Sequence, residues 1–430
     1  AGMDKKQNSD HGGFSESGDS KSRLLEGIRV LDLTRFLSGP QATLFLSAMG
    51  AEVVRIDDPR RGDPTAGAPP FLGTDGPSMS RQSAEDIGIA YLKRGRGKKS
   101  LGIDLRTNEG RALLLKLVAK ADVLVENFRV GVTEKMGIDY ASLKQINPGL
   151  VYCSITGYGA TGPERHRKAY DLMVQAASGL MSITGEPGSH PQKAGSPLSD
   201  GIAGTFAVSG ILAALLQRQR TGEGQFIDVS MADCLVALIS DEPWDCYEAL
   251  GLPYQQGNRI MRFSPFNTYS AADGQVALGA ATPKDWIALL DLMGRQDLKS
   301  DPDFMDTGWR ILNNDTVDQV VADWTAGLTV ADIVARCDAA DIPSSPIRHV
   351  RDLRQWEHQT ERRMLEPLTH TDGTRDHRVT APAFPLRFSN ADTSYPAPAS
   401  TTGQHTDSVL TDWLDLDAEE TEQLRQQGTI

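Results

Sequence analysis

The chain has 430 residues, 44 basic and 57 acidic side chains, a formal charge of −13, and 39% hydrophobic residues. That length predicts at least two domains, and the acidic balance argues against nucleic acid and anionic membrane as main partners. No uninterrupted apolar run reaches ~18 residues, so no membrane span is expected.

The four cysteines, Cys153, Cys234, Cys246 and Cys337, form no CxxC pair and fit a reducing, cytoplasmic compartment. The eight histidines have no metal-ligand spacing beside Cys or Glu, so no metal site is expected. Residues 1–22, rich in Ser, Gly, Asp and Lys, have no apolar stretch and read as a disordered tail, not a signal peptide.

Order begins at Leu24. Residues 28–33 (IRVLDL) read as a buried strand, 40–49 as a helix opened by Gly39-Pro40 and stopped by Gly50, and 51–56 (AEVVRI) as a second strand. The pattern recurs: strand 100–105, helix 109–120, strand 122–126, a short helix at 132–136, strand 150–154 running on to Thr156. Such alternation predicts an α/β fold, a Rossmann-like large domain around a parallel sheet. No GxGxxG follows the first strand, so the topology assigns no nicotinamide cofactor.

Helices are expected over 169–183 and 200–220. The second is full of small residues and should pack closely. A strand (QFIDVS) and a helix from Met231 follow. Residues 253–265 form a loop and a composition break. A hairpin over 269–279 turns at Asp273-Gly274, and helices continue to about Ala340. The expected organisation is a tail (1–22), a large domain (23–231), a linker (232–265), a smaller α+β domain (266–345), an extended Pro-rich return segment (346–407) and one C-terminal helix rejoining the large domain (408–430).

Three features could carry chemistry. Lys93-Arg94-Gly95-Arg96-Gly97-Lys98-Lys99 is a basic tract in an acidic protein, either a solvated loop or a phosphate site. Asp200, before a long helix, reads first as an N-cap; a carboxylate kept ionised by the helix N-terminus is the alternative, as a nucleophile. Asp171 opens another helix as a cap, and His166, among charged neighbours, is expected to be solvated.

Several stretches together resemble the class III CoA-transferases, the group of formyl-CoA transferase and carnitine CoA-transferase that also contains α-methylacyl-CoA racemase. They are LLEGIRVLDLTRFLSGPQATLFLSAMGAEVVRIDDP, ADVLVENFRVGV, INPGLVYCSITGYGATGP, AYDLMVQAASGLMSITGEPG, SPLSDGIAGTFAVSGILAALLQRQRTGEGQFIDVSM and GQHTDSVL. The resemblance runs from Leu24 to the end and is looser through the middle domain. It implies that Asp200 is the nucleophile. It places Asn127 and Phe128 in the CoA channel, Arg129 and Lys135 near the phosphates, and Leu105 and Arg106 near the adenosine end. Lys168 and Tyr170 fall near the pantetheine and thioester, and Leu37 and Ser38 beside the carboxylate.

The activity implied is transfer of coenzyme A from an acyl-CoA donor to a carboxylic acid through an aspartyl-CoA thioester, in an interlocked homodimer. Acyl-CoA is then a substrate, and no cofactor is tightly bound. Backbone N–H groups at the start of the Asp200 helix, Gly201 included, would stabilise oxyanions. A racemase-like isomerase and a non-catalytic acyl-CoA binder are the alternatives. The racemase branch has a His where this chain has Tyr170, and a phenol is a poor base at neutral pH. Two departures bear on substrate: Leu37 replaces the Gln of formyl-CoA transferases, and 257–263 (GNRIMRF) lacks their glycine run. Formate and oxalate are therefore expected to be poor acceptors. Arg259 or Arg262 would either pair with a second carboxylate of a diacid or simply be solvated.

Overall fold

The structure, a computed structural model, describes residues 22–430. All of the expected tail except Ser22 lies outside the described residues. The chain divides into two compact units. The first comprises 22–178, Gly195–Leu238 and His358–Ile430; the second comprises Gly179–Ala194 and Ile239–Glu357.

Six strands build the main sheet of the first unit: β1 (Arg29–Asp32), β2 (Glu52–Asp57), β3 (Lys99–Gly102), β4 (Val123–Glu126), β5 (Val151–Thr156) and β6 (Phe226–Ser230). All pair in parallel, in the order β3-β2-β1-β4-β5-β6. In register, Leu31 of β1 lies opposite Val54 of β2 and Leu124 of β4. The strand order reverses between β1 and β4, and such a reversal leaves a crevice beyond the strands' carboxyl ends.

Four helices matter for that crevice and its support: α1 (Ser38–Ala48), α2 (Asn108–Val118), α3 (Asp171–Ala177) and α4 (Leu198–Thr221). Thr107 caps α2 by accepting from the Gly110 N–H. The apolar face of α2 (Leu113, Leu114, Leu117, Val118) joins Leu31, Val54 and Leu124 in one core, which Val409, Leu410 and Trp413 complete from the C-terminal segment. Helix α4 packs on α1 and on β5 and β6. Gly204 permits this: a Cβ there would stand 2.8 Å from the Ser38 carbonyl oxygen of α1. Although α4 has the length and apolarity of a membrane span, eight of its residues are buried. Asp200, Arg218 and Arg220 also stand in it, and Arg218 pairs with Asp122 at 2.8 Å.

Element boundaries differ from expectation in four places. The helix expected over 169–183 breaks after α3, where Gly179 takes φ 95°, and resumes as Leu180–Ile183. Besides the expected helix from Met231 (Met231–Ile239), the segment 232–265 carries a second helix, Trp244–Ala249. The return segment 346–407 is not wholly extended. It holds a 3-10 turn (Val350–Gln355), a short helix (Glu357–Arg362) and an antiparallel hairpin, Leu365–Thr369 with Arg375–Pro382. Asp372-Gly373, with Gly373 at φ 89°, supplies that hairpin's turn. The C-terminal helix is two helices, Thr406–Leu414 and Ala418–Gln426. Asp415 (φ 56°) separates them, and Asp417 and Glu420 form a capping box for the second.

In the second unit, Phe266–Ser270, Gln275–Gly279 and Ser344–Pro346 form an antiparallel sheet. Helix Pro283–Met293, opened by the Thr282–Asp285 capping box, places Trp286, Leu289 and Leu290 in a core with Val276, Val317, Val321 and Ile333.

Candidate active site

At the carboxyl ends of β1, β4 and β5 the first unit encloses a cavity of about 430 Å³. Each wall is held by side chains that sequence proximity does not bring together. The turn after β1 is fixed by the buried Asp32. This carboxylate accepts from the Thr34 N–H (2.9 Å), the Thr34 hydroxyl (2.5 Å), the Thr43 hydroxyl (2.6 Å) and Lys98 Nζ (3.1 Å). The same turn puts Phe36 at φ 69°, a left-handed backbone uncommon for a bulky residue. Arg94 Nη1 donates to the Phe36 carbonyl oxygen. The Phe36 ring meets Tyr170 edge-on, with centroids 6.1 Å apart.

The turn after β4 is tied to the turn after β1. Asn127 Oδ1 accepts from the Arg35 N–H (2.9 Å), and Asn127 Nδ2 donates to the Arg35 carbonyl (2.6 Å). Just before it, the buried Glu126 accepts from the Phe128 N–H (2.9 Å) and the Tyr152 hydroxyl (3.3 Å). Burial pushes the Glu126 carboxyl up to about 7.

Asp200 enters the cavity from α4. Pro197, not Asp200, occupies the cap position and offers no side-chain bond, so the N-cap reading is corrected: Asp200 lies inside the first turn. The anchor of this helix start comes from α3. Asp171 accepts from the Ser199 N–H (2.9 Å) and the Ser199 hydroxyl (2.6 Å), and on its other oxygen from Gln175 Nε2 (2.7 Å). Ser199 and Gln175 are fully buried. The Asp200 carboxyl is pushed up to about 6, first by burial and then by the nearby Asp171 carboxylate, with Arg94 acting in the opposite sense. The Gly201 N–H, expected as an oxyanion donor, already donates to the Pro197 carbonyl at 3.2 Å, so that expectation is corrected too.

Of the expected site residues, Leu37, Ser38, Asn127, Phe128, Arg129, Lys168, Tyr170 and Asp200 line this one cavity. Lys168 Nζ stands 5.3 Å from the Tyr170 ring centroid. Leu105, Arg106 and Lys135 do not line it. Leu105 packs on the sheet core, Arg106 forks onto Asp104 (2.9 and 3.1 Å), and Lys135 is exposed on the short helix Val132–Met136. Arg35, Arg165 and Arg167 also line the cavity and were not singled out from the sequence. Among its lining residues Asp200 is the one carboxylate and five are cationic, of which Arg167 pairs with Glu164 at 3.0 Å.

The basic tract is not a solvated loop. Lys98 is buried against Asp32, Lys99 pairs with Glu52 (2.9 Å), and Arg96 donates to the Lys93 and Pro382 carbonyls and lies over Tyr395. A phosphate ligand therefore finds Arg96 and Lys98 already committed. Arg259 and Arg262 are committed as well: Arg259 pairs with Asp315 and Asp318, each at 2.7 Å, and Arg262 with Glu242 at 2.7 Å. Neither is left as a simple solvated loop charge. Among the described residues no three His, Cys, Asp or Glu side chains gather in a metal-binding group.

A doubly wound sheet whose switch-point cavity sets one acid among several cations defines a protein that handles an anionic ligand. The chain belongs to CoA-transferase family III, whose family model matches residues 25–406. It is 34% identical over 388 residues to the succinate–glutarate CoA-transferase of Agrobacterium fabrum, covering 90% of this chain and 94% of that one. It is 36% identical over 341 residues to the acetyl-CoA:oxalate CoA-transferase of Acetobacter aceti, covering 76% and 84%. A CaiB/BaiF family protein from Brucella suis, known by crystal structure, superposes with a TM-score of 0.76 at 33% identity, covering 92% of this chain and 100% of that one.

Proposed function

We propose that this CoA-transferase moves coenzyme A from an acyl-CoA donor to a dicarboxylic acid through an aspartyl-CoA thioester on Asp200. The observation that carries this is the placement of Asp200 as the lone carboxylate in a cation-lined cavity. Among the described residues its carboxyl has no hydrogen-bond partner, and Arg94 is the cation that acts on it. An unpaired carboxylate at the start of a helix is available as a nucleophile.

The Asp200 carboxylate attacks the donor thioester carbonyl. A C–O bond forms, the C–S bond breaks, and CoA leaves as thiolate, giving a mixed anhydride. The thiolate then attacks the aspartyl carbonyl and expels the donor acid as a carboxylate. The acceptor carboxylate attacks the aspartyl-CoA thioester and the two steps run in reverse. One activated acyl bond exists at every stage, so no ATP is consumed. Lys168 and the Tyr170 hydroxyl are the proposed partners of the acyl oxygen as charge develops on it. Arg129, with Arg165 and Arg167 and, beyond the cavity, Lys135, is proposed for the phosphates, and Leu105 and Arg106 for the adenosine end. Asn127 contributes by locking the wall, since both ends of its amide are bonded to Arg35.

The diacid class rests on the names of the two relatives, which concern succinate and glutarate in one and oxalate in the other; the oxalate name runs against the expectation that oxalate is a poor acceptor. It no longer rests on Arg259 and Arg262. An interlocked homodimer in a reducing, cytoplasmic setting belongs to the same proposal. Exposed Leu172, Met173, Phe206, Leu216 and Leu238 on helices of the first unit, and four unpaired cysteines, support it.

The test is incubation with succinyl-CoA and hydroxylamine, followed by peptide mapping. A hydroxamate on Asp200 is expected. Turnover with no modification of the Asp200 peptide would overturn the covalent route.

A further inference from the structure

We infer that Arg94 is a positioning residue of this site, fixing the Phe36–Leu37 wall and setting the charge around Asp200; the inference rests on the CoA-transfer reading. Arg94 ends the helix Ile89–Arg94 and is only partly exposed. Its guanidinium donates to the carbonyl oxygen of Phe36, the residue held at φ 69°. Phe36 and Leu37 both line the cavity that receives Asp200. A left-handed bulky residue persists only when its surroundings over-determine it. Here the Asp32 network holds the turn from before Phe36, and Arg94 holds the Phe36 carbonyl itself. Without that bond, the Phe36 ring has less to keep it edge-on to Tyr170.

The second role is electrostatic. The like charge of Asp171 from α3 and the opposite charge of Arg94 act on the Asp200 carboxyl in opposite senses. The cavity's other cations are Arg35, Arg129, Arg165, Arg167 and Lys168; of these, Arg35 donates to the Thr34 and Ile56 carbonyls and Arg167 pairs with Glu164 at 3.0 Å. Arg94 does not line the cavity, so its charge remains with the protein whether or not CoA is bound. It favours the ionised nucleophile against the combined effect of burial and Asp171.

The experiment compares kcat/KM against pH for the full chain and the variants Arg94→Gln and Arg94→Lys, with succinyl-CoA as donor and glutarate as acceptor. In Arg94→Gln the acid limb should move up by about one unit, roughly a fivefold extra loss near pH 6 relative to pH 8.5. In Arg94→Lys the limb should stay in place while KM for succinyl-CoA rises by about three- to tenfold, because a lysine ammonium does not reproduce the Nη1 bond to the Phe36 carbonyl. A merely structural residue would scale rates equally at every pH. An Arg94→Gln limb coincident with that of the wild type overturns the electrostatic role, and a wild-type KM in Arg94→Lys overturns the clamp. If Arg94→Gln fails to fold, Arg94→Met takes its place in the limb measurement, and Arg94→Lys still decides the KM. A wild-type protein without transfer sinks the CoA-transfer reading as well, whereas an active wild type with unmoved variants sinks this inference alone.

Discussion

Replacing Asp200 with Asn should abolish transfer and, at pH 8, leave a more stable protein. The folded carboxyl titrates at about 6 against an ordinary value of 3.8, raised by burial and by Asp171. A group whose folded pKa is raised binds its proton more tightly when folded. Its stabilising contribution is therefore complete below about pH 4, is lost as the pH rises through about 6, and stays lost above. The shift of about two units corresponds to about 3 kcal/mol at 1.36 kcal/mol per unit. The carboxylate keeps part of its water, which brings the expected cost of the ionised acid nearer 1.5 kcal/mol. Asn has almost the same shape and no charge, so it removes that cost. Urea unfolding at fixed protein concentration should show Asp200→Asn more stable than wild type by about 1–2 kcal/mol at pH 8, with the gain vanishing near pH 4. Transfer should fall by more than a hundredfold, about 2.7 kcal/mol or more of barrier, because the covalent path is gone. A variant less stable than wild type at pH 8, or a gain that persists at pH 4, would refute the account of the Asp200 environment. Transfer within tenfold of wild type would refute the nucleophile.

The buried pair between Asp32 and Lys98 supports the turn that shapes the cavity. Lys98→Met should cost about 3–5 kcal/mol in urea unfolding, since it strands a carboxylate that hydrogen bonds and the Lys98 charge hold below its usual range despite burial; a loss under about 1 kcal/mol would contradict the pairing. Arg129→Ala and Lys168→Ala, both at exposed cavity positions, should each weaken CoA binding by about fivefold, or ~1 kcal/mol, with the effect fading at high salt. Isothermal titration at two salt concentrations checks this, and unchanged affinity in both variants would remove Arg129 from the phosphate site and Lys168 from the thioester end.

Local pattern was enough for much of this protein. The apolar runs at 28–33, 122–126 and 150–156, interleaved with amphipathic helices, already required a parallel α/β sheet, because such strands are buried on both faces. The quoted motifs pointed to a CoA-transferase family, which the family model matches over residues 25–406. Asp200 was visible because a charged residue at the head of a small-residue helix stands out. What local pattern could not reach was which side chain meets which. Asp171 looked like the cap of its own helix, but it anchors Ser199, 28 residues on. The basic tract looked like a surface, yet Lys98 closes on Asp32, 66 residues away, and Arg94 on Phe36, 58 residues away. Burial and charge pairing depend on tertiary neighbours, and a run of like charges reads the same in sequence whether water or a carboxylate sits opposite. The break at Asp415 was invisible for a related reason: a single left-handed residue interrupts a helix without disturbing its amphipathic period. Periodicity therefore determined the elements and their class. The partners that hold Asp200 in its helix turn, and that raise its carboxyl, were decided only when the chain closed on itself.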